Sequence, residues 1–412
     1  MRSKNISTRI LHTSFLRKDS NNSLRMPTYE NVAFEFETAE EIEAAFRGEI
    51  PRHVYSRIAN PTVEHLENLI KEASGALGVL AVSSGMASLS NLFIAIAGKG
   101  NNIITTNKLF GNTYSLVAKT LPSIGIEFRF ADTANPQSVE ELIDNNTVAI
   151  FFESITNPQL EVANVKVLSG IAHKHKIPLI CDTTLTPPDL FLSANFGVDV
   201  ELISGTKFIS GGATALGGFI IDNGSFNWSH NENLKPFHDQ VGPLALIARL
   251  RKEVARNLGA TLSAHNAFLL SLGLETLTLR TNKACQNTLE TARWLEKQSA
   301  VKRVDYPGLE SSSFFDLSRK QFNGKPGAVL TFDLDSKESC FKFINALKMI
   351  RKATNINDNK TLILHPASTI FCEYDKQTLD AMQIRQTTVR LAPGIEEAED
   401  IIADIENALG AV

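Results

Sequence analysis

The segment "ELISGTKFISGGATALGG", residues 201–218, places one lysine, Lys207, at the end of an apolar run of strand length and follows it with four glycines. Desolvation at such a strand end disfavours the ammonium form and leaves a neutral amine, which is a nucleophile. Ser204 and Thr206 are two residues apart and share one face of an extended strand. Both hydroxyls can therefore meet one phosphate, while Lys207 is expected to point to the other face. A second segment, "AVSSGMAS", runs from a strand into a helix at Gly85 and Met86. A helix start offers free N–H groups and a positive dipole end to an anion. In a third, "PLICDTT", Asp182 follows four apolar or sulfur-bearing residues. A carboxylate there is costly to bury without a cationic or protonated partner.

Each feature has a plainer use by itself. Small residues at a strand-to-helix turn serve tight packing, and an aspartate there serves as a helix cap. Together, a phosphate seat, a nucleophilic lysine and a buried carboxylate meet the needs of pyridoxal 5′-phosphate (PLP). Its aldehyde is attacked by an amine, and its ring nitrogen needs an acidic partner to stay protonated. A dinucleotide reading of the glycines at 211, 212, 217 and 218 fails, because they precede the apolar run "GFIID" and do not open a helix after one.

The elements that must position these groups follow a regular pattern. From about residue 62, the strand-length runs "VLAVSS", "NIITT", "EFRFA", "VAIFFES", "PLICDTT", "ELISGT" and "GGFIID" alternate with amphipathic stretches. That alternation predicts an α/β fold with a mainly parallel sheet and helices on both faces. Past about 256 the texture changes to longer helical stretches broken by "AVLTFDL", "TLILHPAS" and "TVRLAPG". The chain ends in a helix whose Ile401, Ile402, Ile405 and Leu409 share a face. The expected organisation is an arm over 1–60, a large domain over 61–255 and a smaller C-terminal α+β domain over 256–412.

Composition narrows the function classes. The 412 residues are 43% hydrophobic and 21% charged, with a formal net charge of −4, which argues against a nucleic-acid partner. The apolar runs are too short or too interrupted for a membrane span, and the polar start lacks a signal-peptide segment, so a cytoplasmic location is expected. Cys181, Cys285, Cys340 and Cys372 form no C-x-x-C pair and are read as free buried thiols. His173 and His175 in "AHKHK" are read as a solvated helix face, and no metal site is expected.

In order along the chain, "TRILH", "PTYENVAFEF", "VYSRIANPTVEHLE", "AVSSGMAS", "LFGNTYSL", "FFESITNPQLEV", "ICDTTLTP", "ISGTKFISG", "TLILHPAST" and "VRLAPGIEEAEDIIADI" resemble the Cys/Met-metabolism family of PLP enzymes, within the aspartate-aminotransferase-like fold type I. The resemblance covers essentially the whole chain. It implies that Lys207 takes the cofactor's aldehyde and that Asp182 partners the ring nitrogen. Gly85, Met86, Ser204 and Thr206 would contact the phosphate, and Glu153 and Asn157 would lie near the ring hydroxyl. Arg390 would hold the substrate carboxylate, with Asn355 beside it. Tyr55 and Arg57 would reach the phosphate of a neighbouring subunit, so a homo-oligomer is implied, usually a tetramer built as a dimer of dimers.

The chain departs from the family pattern at three positions. Phe110 stands where a tyrosine usually stacks on the ring, Thr183 where asparagine is common, and Gly212 where histidine often follows. Without the phenol, expulsion of a thiolate loses a general acid, whereas an ester carboxylate leaves unaided. The expected reaction is γ-replacement of the O-acetylhomoserine sulfhydrylase type, with an activated homoserine ester and sulfide or a thiol as substrates. A methionine or cystathionine γ-lyase, or a cystathionine γ-synthase, is the alternative. Tyr114 is considered as a substitute acid but is expected to pack in the following helix. Two further readings are a protein that binds PLP without turnover and an α/β phosphate binder without PLP.

Overall fold

The computed structural model describes residues 5–16, 19–133 and 135–412. Residues 1–4 and 17–18 of the expected arm lie outside the described residues. All seven expected strands form: β1 (Gly78–Val82), β2 (Asn102–Thr105), β3 (Glu127–Phe130), β4 (Thr147–Glu153), β5 (Leu179–Asp182), β6 (Val200–Ser204) and β7 (Gly218–Asp222). They make one sheet in the order β1-β7-β6-β5-β4-β2-β3, in which only β7 runs antiparallel to its neighbours. Strands buried on both faces need apolar residues throughout, as in "GVLAV" of β1 and "GFIID" of β7.

The period of two sorts β1 between the two faces. Leu80 and Val82 pack with Leu92 and Phe93 of helix Gly85–Ile96, whereas Val79 and Ala81 pack with Leu66 and Ile70 of helix Pro61–Ser74. The latter helix starts where the sequence signals it. The Asn60 side chain accepts from Thr62 N at 2.9 Å, Pro61 opens the helix, and Gly75 closes it at φ +77°.

Beyond these elements a second, five-stranded mixed sheet has the order β10-β11-β12-β9-β8. Its members are β8 (Arg303–Asp305), β9 (Leu330–Asp333), β10 (Arg351–Lys352), β11 (Leu362–Leu364) and β12 (Thr388–Ala392). Helices Leu277–Leu295 and Ala398–Leu409 close its core with Ala292, Ile401 and Ile405 against Phe332, Val389 and Leu391. The larger parallel-type sheet and the smaller mixed sheet together give the α/β fold expected from the sequence.

Three details differ from the sequence reading. Strand β6 stops at Ser204, and Gly205, Thr206 and Lys207 form a turn leading into the short helix Phe208–Ser210. Strand alternation therefore does not apply to Lys207, which comes round to the same side as Ser204 and Thr206. Cys372 is exposed while the other three cysteines are buried. His173 is not merely solvated, since its Nε2 lies 2.8 Å from Oδ2 of the buried Asp199.

Candidate active site

The carboxyl ends of β1, β4, β5 and β6 open on one rim, where a cavity of about 240 Å³ lies between the two sheets. From the large sheet come Gly85, Met86, Glu153, Asp182, Ser204, Thr206 and Lys207. Phe110 and Asn157 enter from loops, and Arg390 reaches in from the middle of β12. Asn355 does not line the cavity but its Oδ1 accepts a hydrogen bond from Lys207 Nζ at 2.6 Å.

Local chemistry explains each placement. Ser84 caps helix Gly85–Ile96 by accepting from Ala87 N at 3.1 Å, which leaves the N–H groups of Gly85 and Met86 without an intrahelical acceptor. Gly85 is required by close approach, because a Cβ there would lie 2.8 Å from that of Ser204. Asp182 ends β5 opposite Leu202, and its Oδ1 accepts from Thr184 N at 2.8 Å. Thr184 in turn accepts from Ser204 N at 2.9 Å, tying the two strand ends together.

Burial sets the electrostatics of the cavity. Burial pushes the Lys207 ammonium down to about 8, helped by the nearby Arg390 charge and opposed by Asp358. Burial also raises Asp182, against its hydrogen bonds from Thr184. Glu153, paired with Asp182 across β4 and β5, is raised well above the usual range by burial and then by the Asp182 charge. Its Oε1 accepts from Phe110 N at 2.8 Å, which fixes the loop carrying the phenylalanine.

Arg390 is 2% exposed and bonds only neutral groups, Asn157 Oδ1 at 3.1 Å and the Asn355 carbonyl at 3.2 Å. No carboxylate among the described residues pairs with it. A buried guanidinium left without a counter-ion is a receptor for an anion brought by a ligand.

Tyr55 and Arg57 do not line this cavity. The Arg57 guanidinium lies 5.4 Å from the Tyr55 ring centroid, and its Nη1 donates to the Arg256 carbonyl at 2.8 Å, on the wall of a separate hollow. Their expected task in a neighbouring subunit's site leaves them outside the cavity of their own chain. Tyr114 also stays out, packed 5.5 Å from both the Phe130 and Tyr374 rings.

Sequence reasoning missed Thr184, Leu185, Leu216, Thr354 and Ile356 as cavity walls. Only Thr184 carried a signal, as the second hydroxyl after Asp182. The two unexplained departures acquire reasons. Gly212 sits at φ +123°, and a side chain there would meet Asn359 Nδ2 at 2.6 Å, the group that donates to the Gly211 carbonyl. Thr183 turns away from the cavity and donates to Glu201 Oε1 at 2.5 Å.

The residues present fit PLP: free N–H groups and hydroxyls for the phosphate, a buried acid for the ring nitrogen and a desolvated amine for the aldehyde. The amine must be neutral to attack. The rate at which the cofactor-free chain takes up PLP is accordingly expected to fall about tenfold per unit as pH drops below about 8. Stopped-flow absorbance at several pH values measures this, and a rate unaffected by pH between 6 and 8 would show that the Lys207 amine is not the attacking group.

A sequence model of the Cys/Met metabolism PLP-dependent enzymes matches residues 7–410. The chain is 34% identical to an O-acetyl-L-homoserine sulfhydrylase of Corynebacterium glutamicum over 98% of this chain and 97% of the relative. It is 31% identical to an L-methionine gamma-lyase of Pseudomonas putida, over 98% and 97%. Among solved structures, a Campylobacter jejuni protein assigned as an O-acetylhomoserine (thiol)-lyase, holding N′-pyridoxyl-lysine-5′-monophosphate, superposes with a TM-score of 0.95 at 35% identity, covering 98% of this chain and all of that one. An O-acetylhomoserine sulfhydrylase of Wolinella succinogenes is 47% identical, with a TM-score of 0.78 over 86% of this chain and 98% of its own.

Proposed function

Because the chain belongs to the Cys/Met metabolism family of PLP-dependent enzymes, we propose that it is a γ-replacement transferase of the O-acetylhomoserine sulfhydrylase type. Acetate leaves Cγ of the homoserine ester as the C–O bond breaks, and sulfide or a small thiol forms the C–S bond. PLP, when bound, supplies an aldehyde for the substrate amine and a ring that accepts the electrons released at Cα.

The rest is the work of this chain's own residues. Arg390 binds the substrate carboxylate and so aligns the Cα–H bond for removal. Lys207, freed by the incoming amine, takes the Cα proton and then carries one from Cβ. Asp182 holds the proton on the ring nitrogen. Burial and the Asp182 charge both favour the protonated form of Glu153, which donates a hydrogen bond to a ring oxygen in this reading. The Ser204 and Thr206 hydroxyls and the helix start at Gly85 seat the phosphate. The Phe110 ring forms part of the cavity wall with Leu185 and Ile356.

One observation carries the choice of reaction: among the described residues no tyrosine, histidine or cysteine lines the cavity. A departing thiolate would find no phenol, imidazole or thiol of this chain to protonate it, whereas acetate needs no proton as it leaves. Acetate release from O-acetylhomoserine that depends on sulfide tests the reading, and 2-oxobutyrate from methionine without added thiol would favour the γ-lyase instead. Phe110→Tyr restores a phenol at the wall. It is expected to raise 2-oxobutyrate formation from methionine by up to about 10²-fold, the lower end of what a positioned acid supplies. Equal elimination rates for the two proteins would remove the phenol argument.

A further inference from the structure

Behind Asp182, on the other face of the sheet, lies a buried carboxylate for which the proposed chemistry has no use. Glu201 on β6 is 1% exposed and faces Cys181 of β5 in register. Its Oε1 accepts from Thr183 Oγ1 at 2.5 Å and its Oε2 from Ser193 Oγ at 2.6 Å. Thr183, itself fully buried, directly follows Asp182, and its N–H continues the β5–β6 ladder to the Leu202 carbonyl at 2.9 Å. Successive residues of an extended chain face opposite ways. One peptide unit therefore presents Asp182 to the cavity and Thr183 to Glu201.

The surroundings of Glu201 contain acids and no base. Cys181 and Asp182 approach from β5, with Glu153 beyond them on β4, while β7 offers Ile221. From the 183–196 loop come only the two hydroxyls, and Ser193 is in turn approached by Asn223 Nδ2 at 3.4 Å. No cationic side chain among the described residues pairs with Glu201. Burial is the main reason that its carboxyl is raised to about 7, with the Asp182 charge adding to it.

We propose that Glu201, acting through Thr183, is a positioning residue for Asp182 and sets how firmly Asp182 keeps a proton on the ring nitrogen of bound PLP. Coupling between two sites is reciprocal. A positive ring nitrogen facing Asp182 offsets the repulsion that Glu201 feels, so binding of the cationic ring favours ionised Glu201. Ionised Glu201 in turn adds negative potential behind Asp182 and holds the ring proton to higher pH. The short hydroxyl bonds suit a carboxylate that accepts from both sides. The threonine that stands where the family commonly has asparagine is the donor that links the two carboxylates.

This inference rests on the assignment of Asp182 to the ring nitrogen, and the experiment separates the two. The holoenzyme is prepared with PLP labelled by nitrogen-15 in the ring, and the ring-nitrogen chemical shift is followed from pH 6 to 10 for the parent, Glu201→Gln, Thr183→Val and Asp182→Asn. In Glu201→Gln the midpoint of ring deprotonation is expected to fall by about one unit, a tenfold loss of proton affinity. Thr183→Val shifts it in the same direction and serves if Glu201→Gln does not fold. A change with Asp182→Asn but superimposable curves for the parent and both Glu201→Gln and Thr183→Val would overturn the role of Glu201. No change with Asp182→Asn would overturn the Asp182 assignment itself.

Discussion

Lys207→Ala is expected to lose roughly 10⁴-fold or more in turnover, because the residue is asked both to take the cofactor and to move the Cα proton. The second task alone is worth about 10² to 10⁴. Acetate release from O-acetylhomoserine with sulfide measures the loss. Mass spectrometry after borohydride treatment supplies the independent readout, with the cofactor mass fixed to the peptide around residue 207 in the parent and absent from the variant. The fold itself is expected to survive. The folded-state pKa of Lys207, about 8, lies below the value of 10.5 for a free lysine side chain. The fold therefore bears the cost of a buried ammonium below pH 8, a cost that fades as pH rises from 8 to 10.5. Removing the amine relieves that cost at neutral pH, so a melting temperature at pH 7 well below that of the cofactor-free parent would mean that Lys207 has a structural duty not described above.

Arg390→Gln carries the second large effect. The guanidinium is buried with no counter-ion among the described residues, so its attraction for a ligand carboxylate is little screened. Losing one partner of a buried, hydrogen-bonded charge pair costs about 2–5 kcal/mol, or roughly 30- to several-thousand-fold. The loss should fall on KM for O-acetylhomoserine and largely spare a substrate whose α-carboxylate is amidated. Equal losses on both substrates would assign Arg390 to holding the fold. A second signature follows from the charge. With Arg390 gone, the Lys207 ammonium is less disfavoured, and the pH below which PLP uptake slows is expected to move upward.

Much of this architecture could be read from residue types. Most strands of the large sheet announced themselves as apolar runs, because a sheet covered on both faces has no polar side to disguise them, whereas the edge strand β3, "EFRF", showed itself by alternation. Strands β8 and β10 carried no such signal. They span three and two residues, "RVD" and "RK", at the edges of the small sheet, where partly exposed side chains dilute the pattern. Lys207 was recognisable as a reactive amine, but its direction was not, since the end of β6 at Ser204 is set by the turn that follows. Thr183 and Gly212 show the remaining limit. Their reasons are Glu201, 18 positions away along the chain, and Asn359 in the other sheet region. Partners of that kind come together only in the folded molecule.

The antiparallel strand of the large sheet ties together segments that are far apart in the chain. Gly218 of β7 is paired with Val82 on one side and with Ser204 on the other. The strands that lead into the helix start at Gly85 and into the lysine turn are thus joined through β7, which follows both in the chain. Arg390 emerges far later. The cavity nevertheless closes only with Thr354, Ile356 and Arg390, so its two halves are made by parts of the chain synthesised well apart.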